Sequence, residues 1–203
     1  DVIDQENTED MQKMAAMAPS DEEYLKESVF SLVKQRIGWL LILMILATFT
    51  GIIIRTYEGV LQSAIVLISF IPMLMSTGGN AGSQSSMSIT RGIALEEIEL
   101  SDIGMIFWKE LRVSVIIGVV LSVVNFLIIY YLSDINFAVS FAISLSLFIT
   151  IIIAKVVGST LPIIAKGLKL DPAIIASPFI TTIIDACALI VFFLVCTHYL
   201  HLA

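Results

Sequence analysis

Five long runs in which charge is all but absent constrain this chain more than any other feature. They cover 37–54, 59–90, 113–132, 135–154 and 172–197, and only the last contains an Asp, Glu, Lys or Arg. Lipid offers the backbone no hydrogen-bond partner, so a run of about 20 apolar residues crosses a bilayer only as an α-helix. The expected fold is therefore an all-α membrane protein with five transmembrane helices. Five is odd, which puts the two termini on opposite sides. Composition agrees: 14% of the residues are charged, against about 25% in soluble domains.

The charges that remain are unevenly spread. Nine of the 18 acids fall before residue 28, so the net charge of −7 belongs to a solvated N-terminal stretch. That excludes nucleic acid as the expected partner. Lys13, Lys26, Lys34 and Arg36 precede the first run. Arg91, Lys109 and Arg112 lie between the second and third, and Lys155, Lys166 and Lys169 between the fourth and fifth. Only Arg55 lies on the other side, so the N-terminus is expected to be cytoplasmic and the C-terminus external. Trp39 and Trp108 then fall at the inner interface, and Tyr57, Tyr130 and Tyr131 at the outer one. Cys187 and Cys196 share one expected helix about 13 Å apart and cannot bridge each other, so both read as buried apolar thiols. The first apolar run follows a long polar stretch, unlike a secretory leader. The chain opens on Asp1, and we expect it to be part of something longer.

Residues 1–18 read as a short helix ended by Pro19. Glu6, Glu9, Asp10 and Lys13 share one face, with Ile3, Met11, Met14 and Ala18 opposite. Such a face is either solvated, on a helix docked by its methionines, or one half of a weak divalent-cation site. Ser20 with Glu23 forms a capping box for a second helix, whose Leu25, Val29, Leu32 and Val33 suit the membrane surface. Two regions follow: a cytoplasmic segment over 1–35, and a five-helix transmembrane domain over 36–203. Ser101 and Asp102 can cap a helix that leads into the third run.

Two stretches carry the chemistry. The first, PMLMSTGGNAGSQ from Pro72, is too rich in small and polar residues for a lipid-facing helix. It reads either as a tight crossing of small residues or, the reading favoured, as a pore-facing element with broken backbone whose carbonyls and amides meet water. Asn80 lies at its centre. The second is the last run, where Asp185 sits at mid-membrane. Ionised carboxylates there cost roughly 2.5 to 3.5 kcal/mol, so an acid kept there points to a function. Ser177, Thr181 and Asp185 form one polar stripe at i, i+4 and i+8. Pro178 is expected to loosen the same helix.

PMLMSTGGNAGSQ followed by Arg91, with ENTEDMQKM, Lys109-Glu110, GSTLPII and DPAIIASPFITTIID, resembles the membrane domain of the MgtE family of magnesium channels and transporters. The resemblance implies five helices per subunit and a homodimer, with a Mg²⁺ path at the interface between subunits. It makes residues 1–18 a gating plug helix, with a helical domain and CBS-type modules expected upstream. Asp185 then matches the pore aspartate that holds hydrated Mg²⁺. Thr181 and Ser177 match pore-lining positions where some members have alanine and asparagine. Glu6, Glu9, Asp10 and Asp1 match plug acids that share regulatory Mg²⁺ with the cytosolic part.

The function expected is a non-enzymatic Mg²⁺ channel or transporter in a prokaryotic inner membrane. It would run down the electrochemical gradient under cytosolic Mg²⁺ control, with Co²⁺ or Mn²⁺ as further candidate ions. A proton- or sodium-coupled divalent-cation carrier is the alternative, because a mid-membrane Asp also serves as a relay. An aspartyl protease needs a second intramembrane acid. In a Ser-His-Asp hydrolase, His198 and His201 would lie too far from Asp185. A plain anchor has no use for the acid.

Overall fold

The computed structural model describes residues 2–20, 24–174 and 177–202, with side chains from Thr8 onward except Ile174. Every regular element among them is helical: α1 (Val2–Met14), α2 (Val29–Thr56), α3 (Glu58–Ser63), α4 (Ile71–Ala94), α5 (Ile103–Leu127), α6 (Phe137–Gly167) and α7 (Ser177–Leu200). Short 3₁₀ turns precede α4, α5 and α7, and a π turn, Ile128–Leu132, closes α5. Five of these stretches are long and apolar enough to cross a membrane, as expected.

The first spanning helix outruns its charge-free run at both ends, and each of the others at one end. A first helix of 28 residues runs unbroken through Arg36, so the expected surface helix and first span are one element. It is capped by Ser28, which accepts from the Ser31 N–H at 3.2 Å. Ser20 plays another part: its N–H donates to Gln12 at 2.8 Å and its hydroxyl to Glu27 at 3.1 Å. Its proposed capping partner, Glu23, lies outside the described residues. Glu27 also accepts from the Ser31 hydroxyl and Gln35. These bonds, Ser31's first, hold its carboxyl below the ordinary glutamate value against a smaller opposing effect of burial. Glu99 rather than Ser101 opens the turn before α5, its N–H donating to Asp102 at 2.9 Å.

Several helices end on a non-glycine residue in the left-handed region. Ala16, Glu96 and Lys169 have φ of 56°, 57° and 58°. After each, an N–H reaches back five residues: Met17 to Gln12, Glu97 to Gly92, Leu170 to Ala165, all at 2.9 Å. This closure satisfies carbonyls that a helix end leaves open. It also ends α1 at Met14, ahead of Pro19.

The bundle is built from α4, α5, α6 and α7, with α6 against all three others. Its apolar core has three layers. The largest holds Leu67, Leu74, Ile143, Leu147, Phe192, Phe193 and Cys196. A middle one joins Ala81, Ala154, Ile180 and Ile184, and the last Ile89, Ile93 and Ile163. Both cysteines are free thiols, as expected, and Cys196 is buried, whereas Cys187 is only half-buried. In α2 no residue is buried, and the helix meets the bundle chiefly along α7.

The second span does break, but upstream of the expected place. After α3, Ala64 leaves the helical region at φ −145° and ψ 75°, and a 3₁₀ turn leads into α4. Tyr57 braces this bend by stacking on Phe193, with ring centroids 4.6 Å apart. Pro72 stands in the first turn of α4, where its missing N–H leaves no bond unmade. The glycine run itself is continuous α-helix. Its carbonyls are thus engaged along the helix, which corrects the expectation of broken backbone. Pro178 is the second residue of α7, a first-turn position, and does not loosen the middle of that helix.

Candidate ion-binding site

One side of α4 is a tight crossing. A Cβ on Gly158 of α6 would fall on the Gly82 carbonyl oxygen. One on Gly78 would lie 2.7 Å from Thr150 Cγ2. Gly79 brings α7 close as well, since a Cβ there would meet Thr181 Cγ2 at 3.1 Å. The small-residue reading of the run therefore holds for its glycines.

The other side of α4 is polar and open. Pro72, Ser76 and Asn80 are spaced four residues apart and lie on one exposed strip. With Met75, Gly79, Thr181 and Asp185 they line a cavity of about 550 Å³ between α4 and α7. Asp185 is half-buried. Among the described residues its carboxylate makes no hydrogen bond or ion pair, so both oxygens are available to the cavity. Thr181 donates its hydroxyl proton to the Pro178 carbonyl at 2.9 Å, which leaves its oxygen as an acceptor toward the cavity. Ser177 lies one turn outside that lining. Its hydroxyl donates to Ser83 of α4 at 2.8 Å and ties the two helices together.

The acids of α1 are placed apart from this cavity. Glu9 is paired with Lys13 at 2.6 Å, and Asp10 is half-buried. Asp1 and the side chain of Glu6 lie outside the described residues. Lys13 also reaches Asp171 at 2.7 Å, just ahead of the turn that leads into α7. Asp171 accepts from the Ala173 N–H at 2.9 Å through its other oxygen. The bond to Asp171, then the one to Glu9, raises the Lys13 pKa above the ordinary lysine value. As pH rises the ammonium therefore keeps its charge past that ordinary value, and its contribution to the pair is lost in strong alkali. A partly exposed pair of this kind contributes at most about 1 kcal/mol. Lys13→Met is therefore expected to speed chymotrypsin cleavage after α1 by up to about fivefold, with the helix content from circular dichroism unchanged.

Two charged residues that matter were not recognised as partners in the sequence. Asp171 needed the fold to meet Lys13 across 158 residues. Lys155 was placed in a cytosolic loop, yet it lies within α6 at 5% exposure, against Glu110 of α5. The apolar residues on both sides of it were the available signal.

Five spanning helices, four of them bundled around a crossing of glycines, with one unpaired acid opening on a cavity, define a multi-pass membrane protein with a polar site among its spans. The profile of the MgtE family, described as divalent cation transporters, matches residues 71–195. The chain belongs to that family. It is 31% identical over 192 residues to a magnesium transporter of Thermus thermophilus, covering 95% of this chain and 42% of the relative. It is 34% identical over 201 residues to one from Bacillus subtilis, covering 99% and 44%. The chain thus spans less than half the length of these relatives. It is a multi-pass protein of the prokaryotic inner membrane.

Proposed function

We propose that this chain is the ion-conducting part of a Mg²⁺ transporter and works as a homodimer, with the Asp185 cavities of two copies facing each other across a two-fold axis. The observation that carries this reading is the unpaired Asp185 at the middle of a spanning helix, open to a polar cavity. A single carboxylate offsets half the charge of a divalent ion, and among the described residues no cluster of three potential ligands exists. A symmetric second copy supplies the other half.

Mg²⁺ prefers six oxygens and sheds water reluctantly. Six waters occupy about 180 Å³ at roughly 30 Å³ each, so the ion fits the cavity with its shell. Asp185 then holds it through water, and Asn80, Ser76 and Thr181 accept from or donate to the same shell. Selection rests on the size and geometry of the hydrated ion, and Co²⁺ and Mn²⁺ are further candidates. With the N-terminus cytoplasmic, a divalent ion moving inward gains about 4.6 kcal/mol per 100 mV, twice the single-charge figure. No second energy source is needed. Closure comes from α1: cytosolic Mg²⁺ bound by its acids, together with upstream regulatory domains, holds it docked under α7.

The test is Mg²⁺ uptake into proteoliposomes with an imposed inside-negative potential. Uptake that follows the potential with no proton or sodium gradient supports the proposal. Uptake that requires either gradient would identify a coupled carrier instead.

A further inference from the structure

Behind α4, away from the cavity, three polar side chains from three helices meet. Lys155 of α6 donates from Nζ to Ser85 Oγ of α4 at 2.9 Å. Ser85, 2% exposed, donates its own hydroxyl to Glu110 Oε2 of α5 at 2.6 Å. The ammonium also lies 3.7 Å from that same carboxylate oxygen. The Ser85 hydroxyl both accepts and donates, and the two charges offset each other.

Cohesion alone does not account for the cluster. Buried ion pairs are often no better than apolar residues of the same volume. Here α4 and α6 already interlock where Gly158 meets Gly82. A crossing of small residues is smooth, however, and does little to stop a helix turning about its axis. Directional hydrogen bonds do. Ser85 lies five residues beyond Asn80, about 140° around the helix, so a bond to Ser85 holds α4 from behind its cavity face. On another side Ser83 receives the Ser177 hydroxyl of α7 at 2.8 Å.

We infer that Lys155 is a positioning residue for the ion path: through Ser85 and Glu110 it fixes the rotation of α4, so that Ser76 and Asn80 face Thr181 and Asp185 across the cavity. The inference rests on reading that cavity as the path. Lys155 itself touches no ion.

The experiment compares Mg²⁺ uptake and thermal stability of the full chain in proteoliposomes for four variants. Lys155→Arg keeps a donor for both Ser85 and Glu110, and its rate is expected to stay within about threefold of the unmodified protein. Lys155→Met leaves the partly buried Glu110 without its cation and is expected to lose both stability and transport. The neutral pair Lys155→Met with Glu110→Gln has no unpaired charge. It is expected to recover the melting temperature while uptake stays down about tenfold or more, with a raised half-saturating Mg²⁺ concentration. Asp185→Ala is the reference. Should it transport normally, the reading of the cavity falls. Should it be inactive while the neutral pair transports at the unmodified rate, the cavity reading stands and the role of Lys155 is overturned.

Discussion

Asp185→Ala is expected to leave a folded five-helix protein that no longer carries Mg²⁺. The side chain contributes little to packing, because it opens on the cavity while its neighbours Ile184, Ala188 and Leu189 fill the core. Alanine is the best helix former, and an unpaired acid in lipid is a cost removed. Stability should therefore hold or rise slightly. Transport should not. At about 5 Å and an effective dielectric constant near 20, each pair of unit charges is worth roughly 3 kcal/mol. Losing that interaction once per subunit lowers uptake by a factor of about 100 or more. The measurement is dye-reported Mg²⁺ uptake beside size-exclusion and circular-dichroism controls. Unchanged uptake would refute the site. Asp185→Asn is the finer case: its amide still accepts from coordinated water, so it should retain weak uptake with poorer preference for divalent over monovalent ions.

Gly158→Ala is expected to be the most damaging single methyl group in the chain. The new Cβ would fall on the Gly82 carbonyl oxygen, with the Gly82 carbonyl carbon and Cα each 2.9 Å away. All three are main-chain atoms, so no side-chain rotation relieves the clash and α4 must part from α6. Overpacking costs typically 1–3 kcal/mol when side chains can yield, and this case should reach about 3 or more. The melting temperature should fall by several degrees and uptake with it. Gly51→Ala is the contrast, since nothing lies within 4 Å of a Cβ there. It gains up to about 1 kcal/mol of helix propensity, and should leave stability equal or higher. Equal melting temperatures for the two variants would mean that the crossing is not as close as described.

The parts of this molecule legible from its sequence are those that the solvent enforces. Lipid denies the backbone its hydrogen bonds and makes buried charge expensive. Five apolar runs therefore had to be helices, and Asp185 had to be the residue of interest. The same reasoning fails where partners decide. The glycine run carries two signals at once, and only the fold separates them: Gly78, Gly79 and Gly82 meet other helices, while Ser76 and Asn80 face the cavity. Lys155 looked like the start of a loop because a lone lysine in an apolar run is costly, and its partner Glu110 lies 45 residues away on another helix.

The sequence by itself determined the helical class, the number of spans and the acid at mid-membrane, because each follows from transfer energies that depend on composition along a single helix. The tertiary structure alone decided how those helices are turned. Which face of α4 meets Thr181, where Ser177 spends its proton and which acid balances Lys155 depend on contacts between distant segments, and the periodicity of one segment holds no record of them.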